Sequence, residues 1–191
     1  MPDVMTVGHG ARSAEEFVAV LLDAGVGTLV DVRRFPGSRR HPQFGREALA
    51  TTLRAHGIRY EWQGESLGGR RRRSKETRHM AILNESFGGY ADHMDTPEFR
   101  DALTVLLRRA EGGERLAVMC AETLWWRCHR SFIADALICR GSGVVHLTDV
   151  GQRRHHRPKP IMRCDDDAWP VYDVPDTLPI DGEAGRGPGG V

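Results

Sequence analysis

Along most of this chain, short apolar runs alternate with apolar residues spaced as on a helix face. Residues 5–8, 28–32, 58–62, 116–121 and 144–147 are compact apolar or mixed runs bounded by turn residues, and each reads as a strand. After the first, Phe17, Val20, Leu21 and Ala24 recur at helical spacing behind Ser13, with Glu16 completing a capping box and Gly25 as the stop. Residues 47–56 form a second helix closed by Gly57, and residues 87–94 a further helical turn. Thr96-Pro97-Glu98 opens the clearest helix, striped by Phe99, Leu103, Leu106, Leu107 and Ala110 and ended by Gly112-Gly113. Behind the fourth strand, Phe132, Ile133, Ala136, Leu137 and Cys139 mark a helix running to about Arg140.

Strands alternating with helices imply an α/β fold: a single domain with a mostly parallel sheet of about five strands and helices on both faces. That domain takes residues 1–150, followed by a basic extension over 151–163 and an acidic Pro/Gly-rich tail over 164–191 that is expected to be flexible. A length of 191 residues suits this single domain with a tail. No run approaches the roughly 20 apolar residues of a membrane span, so no membrane partner is expected. The first residues lack the charged and apolar regions of a signal peptide, so a cytoplasmic location is expected. Four cysteines in such a protein are expected to be reduced, catalytic or metal-binding rather than a disulfide framework.

The formal net charge of +1 conceals an asymmetry: residues 164–191 carry seven acidic groups and one arginine, net −6, which leaves +7 on the body. A basic body points to a polyanionic or phosphate-containing ligand, with DNA or RNA among the candidates. Residues 70–75 and 153–159 are the basic runs that would meet a phosphate backbone, unless they are simply solvated loops.

Chemistry-bearing residues follow four of the strands: Gly8-His9-Gly10, Asp31 with Arg33 and Arg34, Glu65 with Gly68-Gly69-Arg70, and the stretch from Cys120 to Arg130. In a parallel sheet all four meet at one edge, where α/β proteins place their ligands. Glu122, leaving a buried strand, is the candidate catalytic carboxylate, its pKa raised by partial desolvation. Its bland role is pairing with Arg127 or Arg130. Cys128, beside His129 and Arg130 at a helix start, is the candidate nucleophile, since that setting favours a thiolate. It could equally be a packed, inert thiol. His9 between two glycines can approach a ligand closely. Arg33, Arg39, Arg40, Arg127 and Arg130, with His129, compose a phosphate or carboxylate clamp. Trp125 or Trp126 could stack on a base, although packing beneath the loop suits at least one of them. A metal site built on Cys120, Cys128 and His129 would need a fourth ligand from elsewhere. Neither a cofactor nor an oligomeric state is specified.

Several segments together carry a resemblance. They are Thr6-Val7-Gly8-His9, Val30-Asp31-Val32-Arg33 with Pro36 and Ser38-Arg39, Gly57-Ile58 with Tyr60, Leu67-Gly68-Gly69, Tyr90-Ala91 with Met94, Cys120-Ala121-Glu122, and Cys128-His129-Arg130. Over roughly residues 4–150 the chain resembles the family known as domain of unknown function 488 (DUF488). Gly10 stands where that family commonly has serine, so a hydroxyl role there is absent. The resemblance implies a compact α/β domain and names no reaction. Three readings stay open. The first is an enzyme on a nucleotide or nucleic-acid component, hydrolytic or base-releasing, with Glu122 as nucleophile or general base. The second is a sulfur or redox enzyme using Cys128, with Cys120 as resolving partner. The third is a non-enzymatic nucleic-acid-binding module.

Overall fold

The computed structural model describes residues 3–37 and 39–173, so Ser38 and the tail from residue 174 lie outside the described residues. The chain runs β1 (Val4–Gly8), α1 (Ala14–Asp23), β2 (Thr28–Asp31), a 3-10 turn (Pro42–Phe44), α2 (Arg46–Ala55), β3 (Arg59–Trp62), α3 (Gly64–Leu67), α4 (Glu85–Met94), α5 (Pro97–Glu111) and β4 (Leu116–Cys120). A second 3-10 turn (Trp125–Arg127) leads to α6 (Arg130–Cys139), then β5 (Val144–Asp149), β6 (Gln152–His155), β7 (Met162–Cys164) and β8 (Pro170–Tyr172). Local signals act as expected: Ser13 and Glu16 form the capping box, and Thr96 caps α5 with Pro97 in its first turn.

Six strands form one sheet in the order β3-β2-β4-β1-β5-β6. The five expected strands are parallel, and β6 adds an antiparallel edge against β5. Alternation along the strands splits the core between the two faces. Met5, Val7, Ala117 and Met119 pack with α1 and α2 residues such as Phe17 and Leu53, while Val4, Val118 and Cys120 pack with Phe99, Leu103 and Phe132 of α5 and α6. Among the described residues no helix is long and apolar enough to cross a membrane.

The segment after Gly151 differs from its sequence reading. Rather than leaving the body at 151, it pairs as β6 and returns as the β7–β8 hairpin, with Trp169, Val171 and Tyr172 buried. Asp135 of α6, wholly buried, holds it: it accepts from His156 at 2.8 Å, Lys159 at 2.6 Å and the Tyr172 hydroxyl at 2.9 Å. Two members of the basic run over 153–159 are therefore committed to an internal carboxylate. The cysteine expectation is also corrected, because Cys139 and Cys164 are joined as a disulfide between α6 and β7, while Cys120 and Cys128 are free.

Trp169 is buried beneath two guanidiniums, with the Arg100 and Arg140 Cζ atoms 4.9 and 5.2 Å from its ring. Trp169→Ala is expected to cost about 3 kcal/mol, which lowers Tm by roughly 6–12 °C for a chain this size. An unchanged melting curve would mean that residues 152–173 stand outside the cooperative unit.

Candidate active site

A cavity of about 740 Å³ opens at the carboxyl edge of the parallel strands. The loops after β1, β2, α3 and β4 all reach it, as does the turn before α6. The β1–β4 ladder continues past the strand ends, with His9 N–H donating to the Cys120 carbonyl at 3.1 Å and Gly10 N–H to the Ala121 carbonyl at 2.9 Å. This close approach requires glycine at position 8: a Cβ there would stand 1.9 Å from the Glu122 carbonyl oxygen. Gly10, at φ +57, takes the left-handed turn that brings His9 into the wall.

At the cavity floor the Cys120 and Cys128 sulfurs lie 2.8 Å apart, with Cys120 1% and Cys128 7% exposed. The Arg130 backbone N–H, in the first turn of α6, is 3.5 Å from the Cys128 sulfur, so that helix end serves a thiol rather than a bound anion. The Arg130 guanidinium is itself buried, 1% exposed, and donates to the Glu122 and Thr123 carbonyls at 3.0 and 3.2 Å. Its Nε has no hydrogen-bond partner among the described residues. Burial would push both thiols up. At Cys120 the hydrogen bond shared with the Cys128 sulfur and the Arg130 charge outweigh it and bring the pKa down to about 7. Cys128 is raised well above the usual thiol range by the same contact with the Cys120 sulfur and by burial. The sequence reading placed the thiolate at Cys128; the contact between the two sulfurs lowers Cys120 and raises Cys128 instead.

The second buried arginine behaves differently. Arg33 forks onto Asp31, Nε to Oδ1 at 2.9 Å and Nη2 to Oδ2 at 2.6 Å, and Tyr60 donates to the same carboxylate at 2.7 Å. Asp31 thus orients an arginine, and Arg33 builds the wall as a neutralised pair rather than offering a free fork. Its Nη1 lies 3.3 Å from His9 Nε2, while His9 Nδ1 lies 2.9 Å from the Gly10 carbonyl. A proton on Nδ1 satisfies both contacts, leaving Nε2 as the acceptor. Burial holds His9 neutral, with its pKa drawn down to about 4, and burial draws His129 to about 4 as well.

The other residues singled out in the sequence divide. Arg127 and His129 line the cavity, and so does Glu122, but the Glu122 side chain is exposed and lacks the desolvation expected of it. Arg130 meets the Glu122 backbone rather than its carboxylate. Arg130, Arg39, Trp125 and Trp126 do not line the cavity. Trp125 instead stacks on His146, ring centroids 4.4 Å apart, and Trp126 packs edge-on against Trp125, so neither presents a face to a ligand in the cavity. No group of three His, Cys, Asp or Glu among the described residues is arranged to hold a metal ion, which includes the trio Cys120, Cys128 and His129. Arg40 of the expected clamp does line the cavity, whereas sequence reasoning missed Phe35 and Tyr90 as cavity residues. Phe35 interrupts an arginine run, and Tyr90 was noted only as part of a motif.

Three histidines, His9, His129 and His146, are held neutral by burial, the last at about 3. Once unfolded they titrate near 6.5. The unfolded chain therefore binds more protons below that value, and the stability contributed by burying neutral imidazoles is lost as pH falls from 6.5 toward 4. The urea midpoint is expected to drop steadily across that window, and less steeply in His9→Gln. A flat midpoint over that range would contradict the burial of these rings as neutral groups.

No curated protein and no solved structure matches the chain. The model of the family described as Domain of unknown function DUF488 matches residues 13–137, from the cap of α1 through most of α6. That match spans about two thirds of the chain and holds most of the cavity-lining loops, and the chain therefore belongs to the DUF488 family.

Proposed function

We propose that the chain is a thiol-dependent sulfur or redox enzyme acting on an anionic substrate. The observation that carries this reading is the pair of sulfurs 2.8 Å apart at the floor of a cavity lined by five arginines and one glutamate. The cavity size supports a small-molecule or nucleotide-sized group, within the roughly 300–1,000 Å³ of ordinary ligand sites. Arg34, Arg40, Arg70 and Arg127 are exposed around it and attract the anion, while Arg33 is already paired with Asp31.

In this reading the Cys120 thiolate attacks an electrophilic sulfur of the substrate. A mixed disulfide forms and the substrate's other sulfur leaves as a thiolate. Cys128 then gives up its proton and attacks the Cys120 sulfur. The Cys120–Cys128 disulfide closes, and the remaining substrate sulfur leaves with the electron pair of the broken bond. The Cys128 proton goes to the first departing substrate thiolate, so two electrons and one proton pass to the substrate from the thiolate–thiol pair. Arg130 stabilises the starting thiolate, and His9 acts as a positioning residue through Arg33. A hydrolytic or base-releasing step at Glu122 is less well supported, because its carboxylate is exposed to water rather than enclosed against a substrate in the cavity.

Glutathione disulfide, an anionic disulfide, is a suitable probe. Wild type with the Cys139–Cys164 disulfide intact and Cys120 and Cys128 reduced is expected to lose two hydrogens by mass, mapped by peptide to a Cys120–Cys128 bond. Cys128→Ser should halt as a glutathione adduct on Cys120, and Cys120→Ser should react at least about tenfold more slowly. Glu122→Gln should track the wild type. Equal reactivity of wild type and both cysteine variants, or loss of reaction in Glu122→Gln, would overturn the assignment.

A further inference from the structure

The thiol chemistry leaves one conspicuous part of the cavity unused. Phe35, at its mouth on the loop after β2, is 64% exposed. A single exposed apolar residue is unremarkable by itself. This ring, however, lies between two guanidiniums, with the Cζ atoms of Arg34 and Arg70 at 5.9 and 5.6 Å from its centroid. Arg34 also donates to the Arg70 carbonyl at 3.2 Å, tying the loop after β2 to the loop after α3. Arg70 adopts φ 60, a left-handed backbone that a non-glycine residue holds only when its surroundings enforce it. Two loops are thus fixed so that an aromatic face and two cations point out together.

Beyond Arg70 an open groove continues, lined by Arg70, Arg71, Arg72, Arg73, Glu85 and Ser86, and it shares Arg70 and Ser86 with the cavity. Arg71 is committed to the Gly68 and Glu65 carbonyls, and Arg73 lies 3.9 Å from Glu85. Arg70 and Arg72 are exposed along the groove. The result is an aromatic platform at a cavity mouth with a basic track leading away from it.

We infer that this mouth and groove bind single-stranded nucleic acid, with one base stacked on Phe35 and the phosphates following residues 70–73. Every base offers a π face to an aromatic ring, and phosphates supply the charge that the arginines lack. An acidic peptide would answer the charge but gives no role to the exposed ring. A duplex would hold its bases in the stack, unable to lie on the exposed Phe35 ring. Binding at the mouth is independent of the thiol reading and is measured without it.

The test is fluorescence anisotropy on the full chain with labelled oligo-dT and oligo-U, a duplex of equal length, and a polyglutamate peptide, each across a salt series. Both single strands are expected to bind more tightly than the duplex and the peptide. Phe35→Ala should weaken strand binding by about tenfold at an unchanged salt slope, with Phe35→Tyr close to wild type. Arg72→Ala should reduce the slope by about 0.7, as for one phosphate contact on a single strand. Binding of duplex or polyglutamate as tight as that of the strands, or Phe35→Ala indistinguishable from wild type, would overturn the inference. Wild type that reacts with glutathione disulfide but binds no strand would sink this inference and leave the thiol reading standing; the converse would do the opposite.

Discussion

A guanidinium buried beside two thiols is the constraint around which this site is built. Arg130 is 1% exposed, and among the described residues it forms no salt bridge. Burying such a charge without an anion costs several kcal/mol. Two loop carbonyls offset part of that cost, and a thiolate at Cys120 supplies the missing negative charge. The same hydrogen bonds hold the loop at Glu122 and Thr123, which passes over Gly8 and forms one wall of the cavity. Thiol acidity, loop position and the glycine in β1 are therefore linked through one side chain.

Arg33 is the useful contrast. It is buried nearly as deeply, but Asp31 meets it with two hydrogen bonds, and Tyr60 and His9 complete the cluster. A charge satisfied in this way shapes the wall rather than waiting for an anion. The exposed arginines at the rim do the remaining work of attracting an anion. One residue type thus serves three purposes, separated by burial and by what each guanidinium finds to bind.

Much of this was legible in the sequence. The apolar runs and helical stripes identified the five parallel strands, and parallel topology alone brings the loops after β1, β2 and β4 to one edge. Cys120, Glu122, Cys128, His129 and His9 were all placed at that edge for this reason. Which thiol ionises was not legible, because it depends on where the Arg130 side chain lies, not on sequence neighbours. Trp125 packs on His146 of β5, about 20 residues on, a partner no local pattern announces. The basic run over 153–159 looked solvated because its partner, Asp135, lies on a helix more than 20 residues earlier. Charge runs show composition, and only the tertiary fold shows which members are already paired.

The most direct test of this account is a pH titration of the reduced protein, followed through thiolate absorbance and peptide-resolved alkylation, in wild type and Arg130→Gln. Thiolate is expected at Cys120 with a midpoint near pH 7 in the wild type. That midpoint should move up once the Arg130 charge is removed. A wild-type titration at the ordinary thiol value of about 8.5, a thiolate that forms first at Cys128, or a midpoint indifferent to Arg130 would contradict it.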